Sequence, residues 1–166
     1  MATNYTFLGM VPDKSYPARW SPGQLYTVEF ELTLAATVVT GDTYTTPVGG
    51  LPSNGIRISE VSFNSVALDT NTTPTATLSV GDAGLSTRFI NAALAGNGSA
   101  LSGNRFTTTI NQAQVLTAGV VSAGYGYLYS DGTAPILVCT VGGTLATAQT
   151  AGLIRLRVSY YCVEEN

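Results

Sequence analysis

Two long runs of strict alternation bracket this chain and constrain its fold more than any other feature. In the first, Tyr26, Val28, Phe30, Leu32 and Leu34 alternate with Thr27, Glu29, Glu31 and Thr33. In the second, Ile154, Leu156, Val158, Tyr160 and Cys162 alternate with Arg155, Arg157, Ser159 and Tyr161. Successive side chains of a strand point to opposite faces, so a period of two over this length means one buried face and one wet face. A third apolar region, Ile56–Leu68, keeps the period but slips its phase. Ile56 and Ile58 share one phase, Val61 and Phe63 the other, and Val66 and Leu68 return to the first. A β-bulge shifts phase by one residue in this way, and a strand buried on both faces gives the same pattern.

Between these runs lie shorter strand signals and many turn signals. Thr75–Val80 reads as a short strand closed by Gly81-Asp82-Ala83-Gly84, and Ile136–Val141 as an apolar strand broken by Gly142-Gly143. Thr40–Asn54 reads as a long loop or frayed hairpin. Tyr125, Tyr127 and Tyr129 fall on one face of a Tyr-rich strand, followed by the turn pair Asp131-Gly132. Phe89, Ile90, Ala93 and Leu94 have the spacing of one face of a short helix. Several strands with turn signals between them and almost no helix indicate an all-β chain, an antiparallel β-sandwich or barrel, of which a jelly-roll-like sandwich is the first choice.

Residues 1–24 differ in texture from the β-sandwich domain expected over 25–166. Pro12, Pro17 and Pro22 recur among Tyr5, Phe7, Tyr16 and Trp20. Proline fixes φ and pushes its predecessor toward extended backbone. The segment reads as an extended arm with aromatic anchors, or as a strand or loop laid over the domain's own core. As an arm, its partner-binding candidates are Tyr5, Phe7, Tyr16, Arg19 and Trp20, because Trp, Tyr and Arg are typical interface anchors.

The inventory of ionisable groups argues against catalysis. The chain has no histidine, one lysine and 10% charged residues, against about 25% in ordinary soluble domains. General acid–base chemistry draws first on histidine, and metal sites need clustered His, Cys, Asp or Glu. Glu29 and Glu31 share the wet face of one strand, where a solvated carboxylate pair is far commoner than a glycosidase pair. Asp42, Asp69, Asp82 and Asp131 all fall in turn signals, where aspartate bonds its own backbone. No EF-hand or P-loop spacing is present. No cofactor is expected, and the chain is read as a non-enzyme.

A net charge of −3 and the absence of a basic patch speak against a nucleic-acid partner. No run reaches the roughly 18 apolar residues of a membrane span, and Met1–Gly9 lacks the pattern of a secretory signal. Cys139 and Cys162 are expected to be free thiols of a protein made in a reducing host cytoplasm. If Ile136–Val141 and Leu153–Val163 pair as a hairpin, Cys139 lies near Arg155 and a disulfide is out of reach.

The run Val80-Gly81-Asp82, then Ser86-Thr87-Arg88-Phe89, Gly126-Tyr127-Leu128-Tyr129 and Ala151–Val158, resembles head-associated proteins of tailed bacteriophages, of decoration or cement type. The resemblance covers roughly residues 56–163. It implies a β-sandwich on the outer capsid surface of the virion, often a dimer or trimer, that bridges neighbouring major capsid proteins and has no catalytic residues. The competing expectation is a carbohydrate-binding or receptor-binding β-sandwich module of a phage tail or fibre, which also exposes Tyr and Trp.

Overall fold

A computed structural model describes residues 1–7, 24–34, 36–53, 55–66, 68–71, 75–94, 106–109, 127–130 and 132–162. Tyr16, Arg19, Trp20, Tyr125 and Asp131 lie outside these residues. The described residues form ten strands and no helix: β1 (Asn4–Thr6), β2 (Leu25–Leu34), β3 (Thr43–Thr45), β4 (Ile56–Ser65), β5 (Thr77–Gly81), β6 (Ile90–Leu94), β7 (Phe106–Thr109), β8 (Leu128–Tyr129), β9 (Val138–Gly142) and β10 (Gly152–Cys162).

The strands form two sheets, in the orders β1-β3-β9-β5-β6 and β2-β10-β4-β7, with β8 also pairing β4. β7 and β8 share one edge: Phe106–Thr109 pair the end of β4, while Leu128 and Tyr129 pair Arg57 and Ile56 at its start. Set β1 aside and count β7 with β8 as one position. The eight positions then run first-eighth-third-sixth in one sheet and second-seventh-fourth-fifth in the other. That interleaving is the double Greek key of a jelly roll, so the sandwich expected from periodicity is present with this topology.

The two alternating runs lie side by side in one sheet, β2 at its edge and β10 inside it. β10 pairs β2 over ten residues, from Gly152↔Leu34 to Tyr161↔Leu25, and pairs β4 on its other side. Val28, Phe30, Leu32, Ile154, Leu156, Val158 and Tyr160 are buried between the sheets, as their phase requires. The phase slip of the third run is a bulge. Ser159 faces Glu60 and Tyr160 faces Ile58, so Ser59 is the extra residue. Its insertion lets Ile56, Ile58, Val61 and Phe63 all reach the core.

Two local expectations are corrected. Phe89–Leu94 is not a helix face: Ile90–Leu94 is strand β6, paired antiparallel to β5. The register slips between Leu78 and Val80, so Ser79 opposes both Asn91 and Ala92. Phe89, which bonds the Val80 carbonyl through its amide at 2.9 Å, and Ile90 are consecutive buried residues. Adjacent buried residues followed by an apolar pair three positions on imitate a helical stripe. Likewise β9 and β10 do not form a hairpin. β9 pairs β3 and β5, in the sheet opposite β10. The non-local pairing of a jelly roll places consecutive strands in different layers. Cys139 and Cys162 are both free and buried, on strands of different sheets.

Candidate assembly interface

The first seven residues add a fifth strand to the sheet of short strands. β1 lies parallel to β3 in the register Asn4↔Thr43, Tyr5↔Tyr44, Thr6↔Thr45. The Thr43 amide donates to the Thr3 carbonyl at 3.0 Å and the Phe7 amide to the Thr45 carbonyl at 2.9 Å. The Asp42 side chain, 1% exposed, accepts from the Thr3 amide through Oδ1 and from the Val39 amide through Oδ2, both at 2.7 Å. The Thr43 hydroxyl donates to Asn4 Oδ1 at 2.6 Å, and the Thr45 hydroxyl to the Tyr5 carbonyl at 3.2 Å.

Of the five residues expected to bind a partner, Tyr5 and Phe7 are described, and both face this chain. The Tyr5 ring stacks on Tyr44, with centroids 5.5 Å apart. Phe7 is buried in the core, 6.4 Å from Phe30. Beneath Tyr5, the Tyr44 hydroxyl is buried with no hydrogen-bond partner among the described residues. Burial, and then the neighbouring Asp42 charge, push that phenol well above its ordinary pKa.

At one end of the sandwich the turn between β5 and β6 is tied to β8. The Asp82 carboxylate accepts the Gly84 and Leu85 amides through Oδ1, at 2.9 and 2.8 Å. It also accepts Arg88 Nε at 2.6 Å and the Tyr129 hydroxyl at 2.5 Å, both on Oδ2. Arg88 lies over the Tyr127 ring, 3.8 Å from its centroid, and Tyr127 meets Tyr129 edge to face. Burial would raise the Asp82 pKa. The bonds from Arg88 and Tyr129, the Leu85 amide and the Arg88 charge outweigh it and hold the carboxyl below its usual value. A depression of about 340 Å³ opens over this cluster, lined also by Thr133, Pro135 and Ile136.

An exposed row crosses the sheet that holds β8. Leu25, Tyr161, Arg57 and Leu128 are in register across β2, β10, β4 and β8. Leu25 is 49% exposed, and Tyr161 and Leu128 are also open to solvent. With Ile136 on the rim of the depression, this end concentrates large apolar side chains at the surface. Such concentration marks a contact surface better than scattered single residues do.

The remaining candidates have structural partners. Glu29 and Glu31 flank one guanidinium: Arg155 Nε is 2.6 Å from Glu31 and 3.4 Å from Glu29. Asp69, fully buried, accepts the Asn71 and Thr147 amides on Oδ1 and the Ala146 amide on Oδ2. Burial pushes the Cys139 thiol pKa up, which disfavours a thiolate there. Among the described residues no group of three or more His, Cys, Asp or Glu could hold a metal ion. No described helix is long and apolar enough to cross a membrane. Sequence reasoning passed over the Asp82–Arg88–Tyr129 cluster because Tyr129 lies 47 residues from Asp82. The only local signal was an arginine six residues after a turn aspartate.

No family model matches the sequence, and no curated protein does. The fold has solved counterparts. A chain of the cyanophage Pam1 capsid asymmetric unit matches with a TM-score of 0.63 and 26% identity, over 89% of this chain and 91% of that one. A chain of the capsid of Ralstonia phage GP4 matches with a TM-score of 0.62 and 18% identity, over 98% of this chain and 99% of that one. The second likeness is one of fold alone. Both counterparts come from phage capsid structures.

Proposed function

We propose that this chain is a structural protein of a bacteriophage virion, on the outer capsid surface, where it decorates and stabilises the shell by bridging neighbouring major capsid proteins. The observation that carries the reading is the similarity, over nearly the whole of both chains, to a chain of a phage capsid asymmetric unit. The surface supports it: few charges, and an exposed row in which Leu25, Tyr161 and Leu128 lie in register with Arg57, suited to burial against a neighbour. The net charge of −3 suits the outside, because a face turned to packaged nucleic acid needs cations. Bridging is multivalent, so modest contacts sum to firm attachment.

A protein that binds the assembled lattice stabilises that lattice by mass action. Particles lacking the chain are expected to rupture at lower temperature, and adding it back to restore them even in molar salt, since salt screens exposed charge pairs and not apolar contacts. Equal heat stability with and without the chain, or its full release in molar salt, contradicts the reading. A second reading, binding of a neutral glycan or a receptor, is favoured by one observation: the tyrosine-lined depression over Asp82 and Arg88. Glycan binding abolished by Tyr127→Ala, with no effect of the chain on particle stability, would put that reading first.

A further inference from the structure

What holds β1 belongs to the β3 edge on which it sits and to the core behind it. Its backbone and side chains bond to Asp42, Thr43 and Thr45, its Tyr5 ring lies on Tyr44, and Phe7 enters the core beside Phe30. None of these groups is a close neighbour of β1 in sequence. β1 is also the one strand among the described residues that pairs in parallel; every other pairing is antiparallel. A parallel neighbour cannot arrive through a tight turn and needs a long connection. The chain between Phe7 and Gln24 comprises residues 8–23, and the strands on either side of it, β1 and β2, belong to different sheets. Fully extended, a connection of that length reaches about 55 Å, more than the width of a domain of this size.

The same strand from another copy would therefore make the same bonds. Exchange of an identical element keeps its contacts, so the local concentration of copies decides between the two arrangements. An emptied edge would leave the Tyr44 ring and the Phe7 site open, an apolar surface that calls for an occupant. We propose that the β3 edge is a strand-acceptor site and that, where copies are crowded, residues 2–7 of one copy occupy the edge of another. The inference takes only the crowding of copies from the virion reading. Its test uses the purified full chain, so its failure leaves attachment to a particle untouched.

The Thr6 and Thr45 hydroxyls are 3.5 Å apart in register, close enough for engineered sulfurs to bond. Two variants, Thr6→Cys and a size-tagged Thr45→Cys, are refolded together at a concentration on the order of millimolar, the range of tethered partners, and oxidised. A disulfide-linked heterodimer joining positions 6 and 45, verified by peptide mass, is expected as the main oxidised product. The double variant Thr6→Cys/Thr45→Cys is expected to close within the chain when dilute and between chains when concentrated. Closure within the chain at every concentration, with no heterodimer, overturns the proposal. Engineered thiols that stay free overturn it as well, because β1 then does not occupy β3 at all.

Discussion

The two sheets of this jelly roll are held by different means. The β2-β10-β4 layer consists of strands of 10 and 11 residues in long register, with a buried apolar residue at nearly every second position. The β1-β3-β9-β5-β6 layer consists of strands of 3 to 5 residues. Strands that short cannot bring much apolar area each, and the turns and loops around them are tied by aspartates. Asp42 holds the start of β1 and β3, Asp82 ties the β5–β6 turn to β8, and Asp69 accepts the Asn71, Ala146 and Thr147 amides. One layer is thus an apolar zipper, and the other a set of short strands fastened by carboxylate clasps.

Truncating the zipper should cost most. Phe30 is fully buried and meets Phe7, so Phe30→Ala is expected to lower unfolding free energy by about 3–5 kcal/mol. A urea titration measures it, and a loss under about 1 kcal/mol would break the zipper half of the comparison. Next comes a clasp. Asp69→Ala removes the buried acceptor of three partly buried amides and is expected to cost about 1–3 kcal/mol, with Asp69→Asn recovering part of it through its remaining oxygen. An Asp69→Ala variant as stable as the parent would show that the clasps are ornamental.

Much of the first layer was legible in the sequence, and little of the second. β2 and β10 are long enough for period two to be unmistakable, and even the Ser59 bulge showed as a slip in phase. β3 is three residues, Thr43–Thr45, too short to show any period, in a stretch whose composition suits a loop or a frayed hairpin equally. The bulge in β6 disturbs its alternation, so its apolar residues imitate one face of a short helix. The pairing of β9 was missed because a Greek key joins strands that are distant in sequence, and periodicity describes each strand without naming its neighbour. Among the candidate interface residues, the aromatic character of Tyr5 and Phe7 was plain. That their rings meet Tyr44 and Phe30 depends on partners some 40 and 23 positions away.

Acid distinguishes the layers further. Asp69 and Asp82 both have pKa values below the usual carboxylate range. A depressed folded-state pKa contributes stability that is present above the unfolded value, about 3.9, and is lost as pH falls through the folded one. The urea midpoint is therefore expected to hold from neutral pH down to about 5 and to drop below about 4, with a smaller drop in Asp69→Asn. Identical pH profiles for parent and variant would remove Asp69 from the account. The smallest effect should come from the solvated face of the zipper. Glu31→Gln breaks a partly exposed pair with Arg155 and is expected to cost under about 1 kcal/mol. A larger loss would mean that charge, and not only apolar burial, fastens β2 to β10.

The central claim, that this jelly roll attaches to an assembled phage shell, is tested most directly by sedimentation. The purified chain is mixed with particles that lack it and, separately, with the dissociated subunits of the same shell, at low and at molar salt. The chain is expected to pellet with intact particles at a fixed ratio in both salts and to stay apart from free subunits. Failure to pellet with particles, or equal binding to free subunits, would contradict the account.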